Sequence, residues 1–231
     1  MKDYLLQSKV LRILRKVVGK RERKMKRILC FGDSNTYGYI PDGSGRYSEE
    51  VRWTGRLQKQ LSSEAIIIEE GLCGRTTVFQ DELRIGRRGV ELLPVLLESH
   101  APLDLVTVML GTNDCKTVYG ASAEVIGKGI EKIIGQIKSI SPQAKILLIS
   151  PILLGDDVWK TEYDPEFSRE SVIVSKKLKV VYKRIAEKNN CMFLAASDIA
   201  NPSERDQEHL DARGHEELAN EIYERILYDI A

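Results

Sequence analysis

Short, uninterrupted apolar runs alternate along this chain with longer stretches in which apolar residues recur at helical spacing. The runs are "RILCF" (27–31), "AIIIEEG" (65–71), "DLVTVML" (104–110), "AKILLIS" (144–150) and "CMFLAA" (191–196). They lack the polar alternation of a half-exposed strand, so they suit strands buried on both faces. Helices are predicted between and after them at 52–62, 88–99, 122–140, 170–189 and 212–229. Strand and helix in strict alternation argue for a parallel sheet covered on both sides. The expected architecture is α/β, a three-layer α/β/α sandwich with a five-stranded parallel sheet, spanning residues 26–231.

Ahead of it, residues 1–25 read as a separate extension. Leu6, Val10, Ile13, Leu14 and Val17 fall at helical spacing with basic residues between them, the pattern of a basic amphipathic helix. Such a helix can touch an anionic membrane surface through residues 1–24 or dock on a partner subunit. The simpler expectation is a solvated or self-packed extension. Lys9, Arg12, Arg15 and Lys16 break its apolar stretch, unlike that of a signal peptide.

The chain has 231 residues and a net charge of +1. Residues 1–27 carry eleven Lys/Arg against two acidic residues, which leaves the body mildly acidic and gives no sign of a nucleic-acid surface. The cysteines, Cys30, Cys73, Cys115 and Cys191, lie far apart with no C-x-x-C pair. Neither a metal ligand set nor a redox motif is suggested, and a reducing, cytoplasmic setting is expected. G-x-G-x-x-G does not follow the first strand, and the P-loop and nucleophile-elbow patterns are absent, so no cofactor is implied.

In a parallel sheet of this kind, ligands gather at the carboxyl ends of the strands. Four segments lie there: "GDSN" after the first strand, "GLCGRTT" after the second, "GTND" after the third and "SERDQEHLDARGH" after the fifth. Ser34 is either a nucleophile or the polar cap of the helix that follows. A serine hydrolase also needs an imidazole, a carboxylate to orient it and donors for an oxyanion. His100 sits at the wrong end of its strand and reads as a surface residue. His215, four residues after Asp211, reads as a local surface interaction. His209 follows Asp206 by three in a loop that faces the edge where Ser34 lies.

Taken together and in order, "GDSN", "GLCGRTT", "GTND" and "DQEH" resemble the four blocks of the SGNH, or GDSL, hydrolase family. "VRWTGRLQKQL", "EEGLCGRTT" and "LDLVTVMLGTND" look more like its bacterial arylesterase and acyltransferase branch. The resemblance implies a flavodoxin-like fold and a serine esterase acting on a small-molecule ester with a short acyl group, with acyl transfer to alcohols or peroxide as a further activity. It assigns Ser34 as nucleophile, His209 as general base, Asp206 as its orienting acid, and Ser34 N–H, Gly74 N–H and Asn113 as oxyanion donors. It also implies a homo-oligomer.

Asn35, Tyr37, Tyr39, Trp53, Trp159 and Tyr163 are the expected substrate-pocket residues. Asp33 and Asp114 are expected to bond loop N–H groups, and Cys73 and Cys115 to serve packing. Arg52 is expected either to line the site or to cap a helix. Two alternatives stand beside the esterase: a non-catalytic acyl- or carbohydrate-binding protein on the same fold, and a carbohydrate acetyl esterase.

Overall fold

The computed structural model describes residues 25–230 except residue 63, and for 228–230 only the backbone. The amphipathic extension therefore lies outside the described residues. Five strands, β1 (Lys26–Gly32), β2 (Ala65–Gly71), β3 (Leu105–Met109), β4 (Lys145–Ser150) and β5 (Met192–Ala195), form one sheet in the order β2-β1-β3-β4-β5. Every pairing is parallel. The helices are α1 (Ser34–Tyr37), α2 (Trp53–Leu61), α3 (Gly89–Ser99), α4 (Ala123–Ile140), α5 (Arg169–Lys188) and α6 (Ala212–Ile230).

The alternation of side chains along a strand divides the core in two. Leu29 and Phe31 of β1 join Leu93 and Leu97 of α3, Ile130 and Ile134 of α4, and Leu178 of α5. Ile28 and Cys30 turn the other way, toward Trp53 and Leu57 of α2 and Leu218, Ile222 and Ile226 of α6. All five residues of central β3 are buried, which explains its unbroken apolar pattern. Burying each Val, Leu or Ile contributes about 1.5–3 kcal/mol, and α4 and α5 each present a full stripe of such residues to the sheet.

The sheet order places the site. From β1 the chain runs outward to β2, then passes back over β1 to β3. Strand order thus reverses between β1 and β3, and their carboxyl ends open a crevice there. Gly32 and Met109, paired at the ends of these strands, stand just before the Ser34 turn and the Asn113 turn.

Candidate active site

At the end of β1 the chain turns at once into α1, a single helical turn. The side chain of Asp33 caps it by accepting the Asn35 N–H at 3.0 Å. Ser34 is thus not the cap, and its hydroxyl is free for another partner. That partner is His209: Ser34 Oγ lies 2.8 Å from Nε2, and His209 Nδ1 lies 2.7 Å from Asp206 Oδ2. With the ionised carboxylate accepting from Nδ1–H, the Nε2 lone pair is left to accept from the serine hydroxyl.

The loop carrying His209 is held on several sides. Asp206 Oδ1 accepts the N–H groups of Glu208 at 3.1 Å and His209 at 3.0 Å. Ser203 N–H donates to the His209 carbonyl at 2.7 Å. Gln207 adopts φ 63°, and its carbonyl accepts the Gly155 N–H at 2.7 Å while its side chain accepts the Asp157 N–H at 3.3 Å. A Cβ on Gly155 would stand 2.1 Å from Gln207 Oε1, so only glycine admits this brace. From below, Asn35 Nδ2 donates to the Glu208 carbonyl at 3.3 Å and Asn35 Oδ1 accepts the Leu210 N–H at 2.8 Å.

The other two blocks close on the same place. Asn113 Nδ2 donates to the Arg75 carbonyl at 3.2 Å, which uses one amide hydrogen and leaves the second. Asp114 accepts the N–H of Thr77 at 3.0 Å together with its hydroxyl, which pins "GRTT" beneath "GTND". Gly74 sits at φ 80°, a left-handed conformation suited to glycine. The N–H groups of Ser34 and Gly74 are not spent on the backbone hydrogen bonds of these loops among the described residues. Ser34, Gly74, Asn113, Asp206 and His209 together line one cavity of about 430 Å³.

Electrostatics are concentrated here. Burial alone would lower the His209 pKa, but the Glu208 and Asp206 carboxylates outweigh it and raise it to about 9. Burial pushes Asp33 up to about 7 and Asp114 up to about 6, against the hydrogen bonds each accepts. Both carboxylates cap or pin loop N–H groups, as the sequence suggested.

Of the expected pocket residues, the structure brings Tyr39 and Tyr163 to the cavity wall, and the Tyr39 ring stands 4.6 Å from that of His209. Four others are corrected. Asn35 is buried beneath the His209 loop. Trp53 is fully buried in the α2 face of the core, its Nε1–H donating to the Asn35 carbonyl. Tyr37 lies under the Arg46 guanidinium, outside the cavity. Trp159 packs against the core beneath Arg169.

Arg52 neither lines the cavity nor caps α2 with its side chain; it pairs with Glu69 at 2.8 Å. His215 is not a surface residue. It is buried, accepts the Trp53 N–H at 3.3 Å, and burial lowers its pKa to about 3. His100 is half-buried beside Glu70, away from the cavity. Cys115 is buried packing, whereas Cys73 stands in the cavity wall as a thiol whose pKa burial raises.

The sequence reading missed the wall-forming charges. Arg84, Lys116, Glu162, Asp164 and Arg205 all line the cavity, along with Pro41, Asp42 and Gly43. Loop length was the available signal for Pro41, Asp42, Gly43, Glu162 and Asp164, since 41–50 and 153–170 are both long connections beside the sheet edge, whereas Arg84, Lys116 and Arg205 carried none.

A sheet with its crevice between β1 and β3, and a serine, histidine and aspartate aligned across it, is the framework of an α/β ester hydrolase. The chain belongs to the GDSL-like lipase/acylhydrolase family, whose model matches residues 30–217. Among solved structures it is similar to a carbohydrate acetylesterase from Sinorhizobium meliloti, at 35% identity and a TM-score of 0.81, covering 88% of this chain and 99% of that one. It is also similar to the aryl esterase of M. smegmatis, at 32% identity and a TM-score of 0.81, with the same coverage. No curated protein matches the chain. Among the described residues no helix is long and apolar enough to cross a membrane.

Proposed function

We propose that this ester hydrolase works through a covalent acyl-enzyme on Ser34 and acts on esters with a short acyl group. The observation that carries the reading is the continuous chain from Asp206 through His209 to Ser34, with contacts of 2.7 and 2.8 Å. Ser34 Oγ attacks the ester carbonyl carbon while its proton passes to His209 Nε2. The oxyanion formed is met by the N–H groups of Ser34 and Gly74 and the remaining amide hydrogen of Asn113. Collapse breaks the bond to the alkoxy oxygen, and His209 returns the proton to the departing alcohol. Water then attacks the acyl-enzyme, gives its proton to His209, and releases the carboxylic acid as Ser34 regains its hydrogen. An alcohol or hydrogen peroxide in place of that water would carry out acyl transfer by the same step.

The test is intact-mass analysis after an organophosphonate serine probe, with Ser34→Ala and His209→Ala alongside, followed by turnover of p-nitrophenyl esters of increasing acyl length. A single adduct on Ser34 that depends on His209, with turnover falling on the order of 10⁶-fold in Ser34→Ala, is expected. A folded Ser34→Ala protein that keeps its rate removes the assignment.

A homo-oligomer is also proposed. It is supported by exposed Val118, Ile173 and Val180, and is tested by light scattering with and without residues 1–24. A cytoplasmic setting is supported by the four unpaired thiols.

A further inference from the structure

Glu208 stands within this site but has no part in the hydrolytic chain. Its backbone is fixed, the N–H by Asp206 and the carbonyl by Asn35. Its side chain is only 9% exposed, and the residue lies in the wall of the cavity that holds Ser34. The carboxylate accepts no hydrogen bond from any described residue. Its one charged neighbour at ion-pair distance is His209 Nδ1 at 3.9 Å, and that nitrogen already bonds Asp206 at 2.7 Å. Its oxygens are not among the sealed, partnerless polar atoms of the described residues, so they open onto the cavity, and burial of the rest of the group raises its pKa. The acceptor capacity left over lines the space into which an ester must enter.

The rest of the wall narrows the kind of donor. Arg84, Lys116 and Arg205 stand there with Glu162 and Asp164. Arg84 and Lys116 are both tied to Glu166, so neither is spent on Glu208. Against charges of both signs an ammonium or carboxylate ligand meets repulsion as well as attraction. A hydroxyl both donates and accepts, and so is matched to every group present. A short acyl group has no such donors, which places them on the alcohol side of the ester.

From this unpaired carboxylate in a mixed-charge cavity we infer that Glu208 is a specificity residue. It accepts hydrogen bonds from hydroxyls on the alcohol portion, and esters of polyhydroxylated alcohols, such as O-acetylated sugars, are the substrate class. The inference rests on the acyl-enzyme reading above.

The test compares kcat/KM for methyl 6-O-acetylglucoside with that for cyclohexylmethyl acetate, which has a similar shape without hydroxyls, in wild type, Glu208→Gln and Glu208→Ala. Taking the ratio cancels any change in the basicity of His209, because both substrates share that step. The wild-type ratio should favour the sugar ester and fall on the order of 10-fold or more in both variants. A second measurement is binding of the sugar ester to Ser34→Ala, with and without Glu208→Gln, by calorimetry; it should weaken by a similar factor. Both rates falling together at a constant ratio, or a wild type that does not prefer the sugar ester, would overturn the inference. p-Nitrophenyl acetate distinguishes this failure from that of the esterase reading, since only the latter abolishes its turnover.

Discussion

Asn35 is the residue whose replacement best tests how the site is held together. Its side chain joins α1, on which Ser34 lies, to the loop that carries His209, through bonds of 3.3 Å to the Glu208 carbonyl and 2.8 Å from the Leu210 N–H. Asn35→Leu keeps the heavy-atom count and branching of the side chain and removes both contacts, which leaves a buried donor and a buried acceptor without partners. Each such group costs about 1–3 kcal/mol, so a loss of about 2–6 kcal/mol in stability is expected. The catalytic consequence is separate. The 2.8 Å contact between Ser34 and His209 spans two segments that Asn35 fastens, and a shift of about 1 Å in such a pair costs about 10²-fold in rate.

Urea unfolding and p-nitrophenyl acetate kinetics on the same preparations measure the two effects. The kcat of Asn35→Leu should fall about 10–100-fold with little change in KM. Asn35→Asp, which keeps the acceptor for Leu210 but loses the donor to Glu208, should fall between. A variant that unfolds at lower urea yet retains full kcat would show that Ser203 and Gly155 hold the loop without Asn35. One unchanged in both would refute the argument altogether.

Three further outcomes follow from the same geometry. Asn113→Ala should lower kcat by about 10²–10³-fold with KM little changed, read from p-nitrophenyl acetate kinetics; a normal kcat would remove it from the oxyanion site. Because His209 must be neutral to accept the Ser34 proton and its pKa is raised to about 9, kcat/KM should climb as pH rises toward that value. Glu208→Gln should move this limb to lower pH, and coincident profiles for the two proteins would contradict the electrostatic account. His215 has a folded pKa lowered to about 3 from 6.5, so the unfolded chain binds more protons between these values and wild-type stability from this group falls as pH falls through them. His215→Leu should be less stable than wild type by about 1–3 kcal/mol at pH 8, where Trp53 N–H loses its acceptor, and the gap should close toward pH 5; a gap independent of pH refutes the buried neutral imidazole.

The five strands and their helices were legible because each strand run is short, apolar and bounded by turn residues, and the chemistry could then be sought only at the strand ends. That restriction selected four segments, and the resemblance to the SGNH hydrolases then picked out Ser34, Gly74, Asn113 and the Asp206–His209 pair within them. Residues flanking those points were less legible, because what decides them is direction within a turn. In the single turn of α1, adjacent residues point to different sides, and Ser34 meets His209 while Asn35 passes beneath the loop. Trp53 and His215 carried a signal that went unused. Trp53 precedes Leu57 and Leu61 by four and eight residues, and His215 precedes Leu218 and Ile222 by three and seven, the spacing of a buried helical face.

The tetrapeptide "DQEH" shows where sequence reasoning stops on physical grounds. Its two inner residues are both polar, and nothing in their order says which supports the loop and which meets the substrate. The backbone decides: at φ 63° Gln207 turns its side chain to the 155–157 segment, and Glu208 is left in the cavity wall. Asp206 already takes the Nδ1–H hydrogen bond, so Glu208 acts on His209 through its charge alone and keeps its acceptor capacity for the cavity. That capacity is matched when the substrate brings the donor, and the comparison of hydroxylated and plain esters asks for that donor directly.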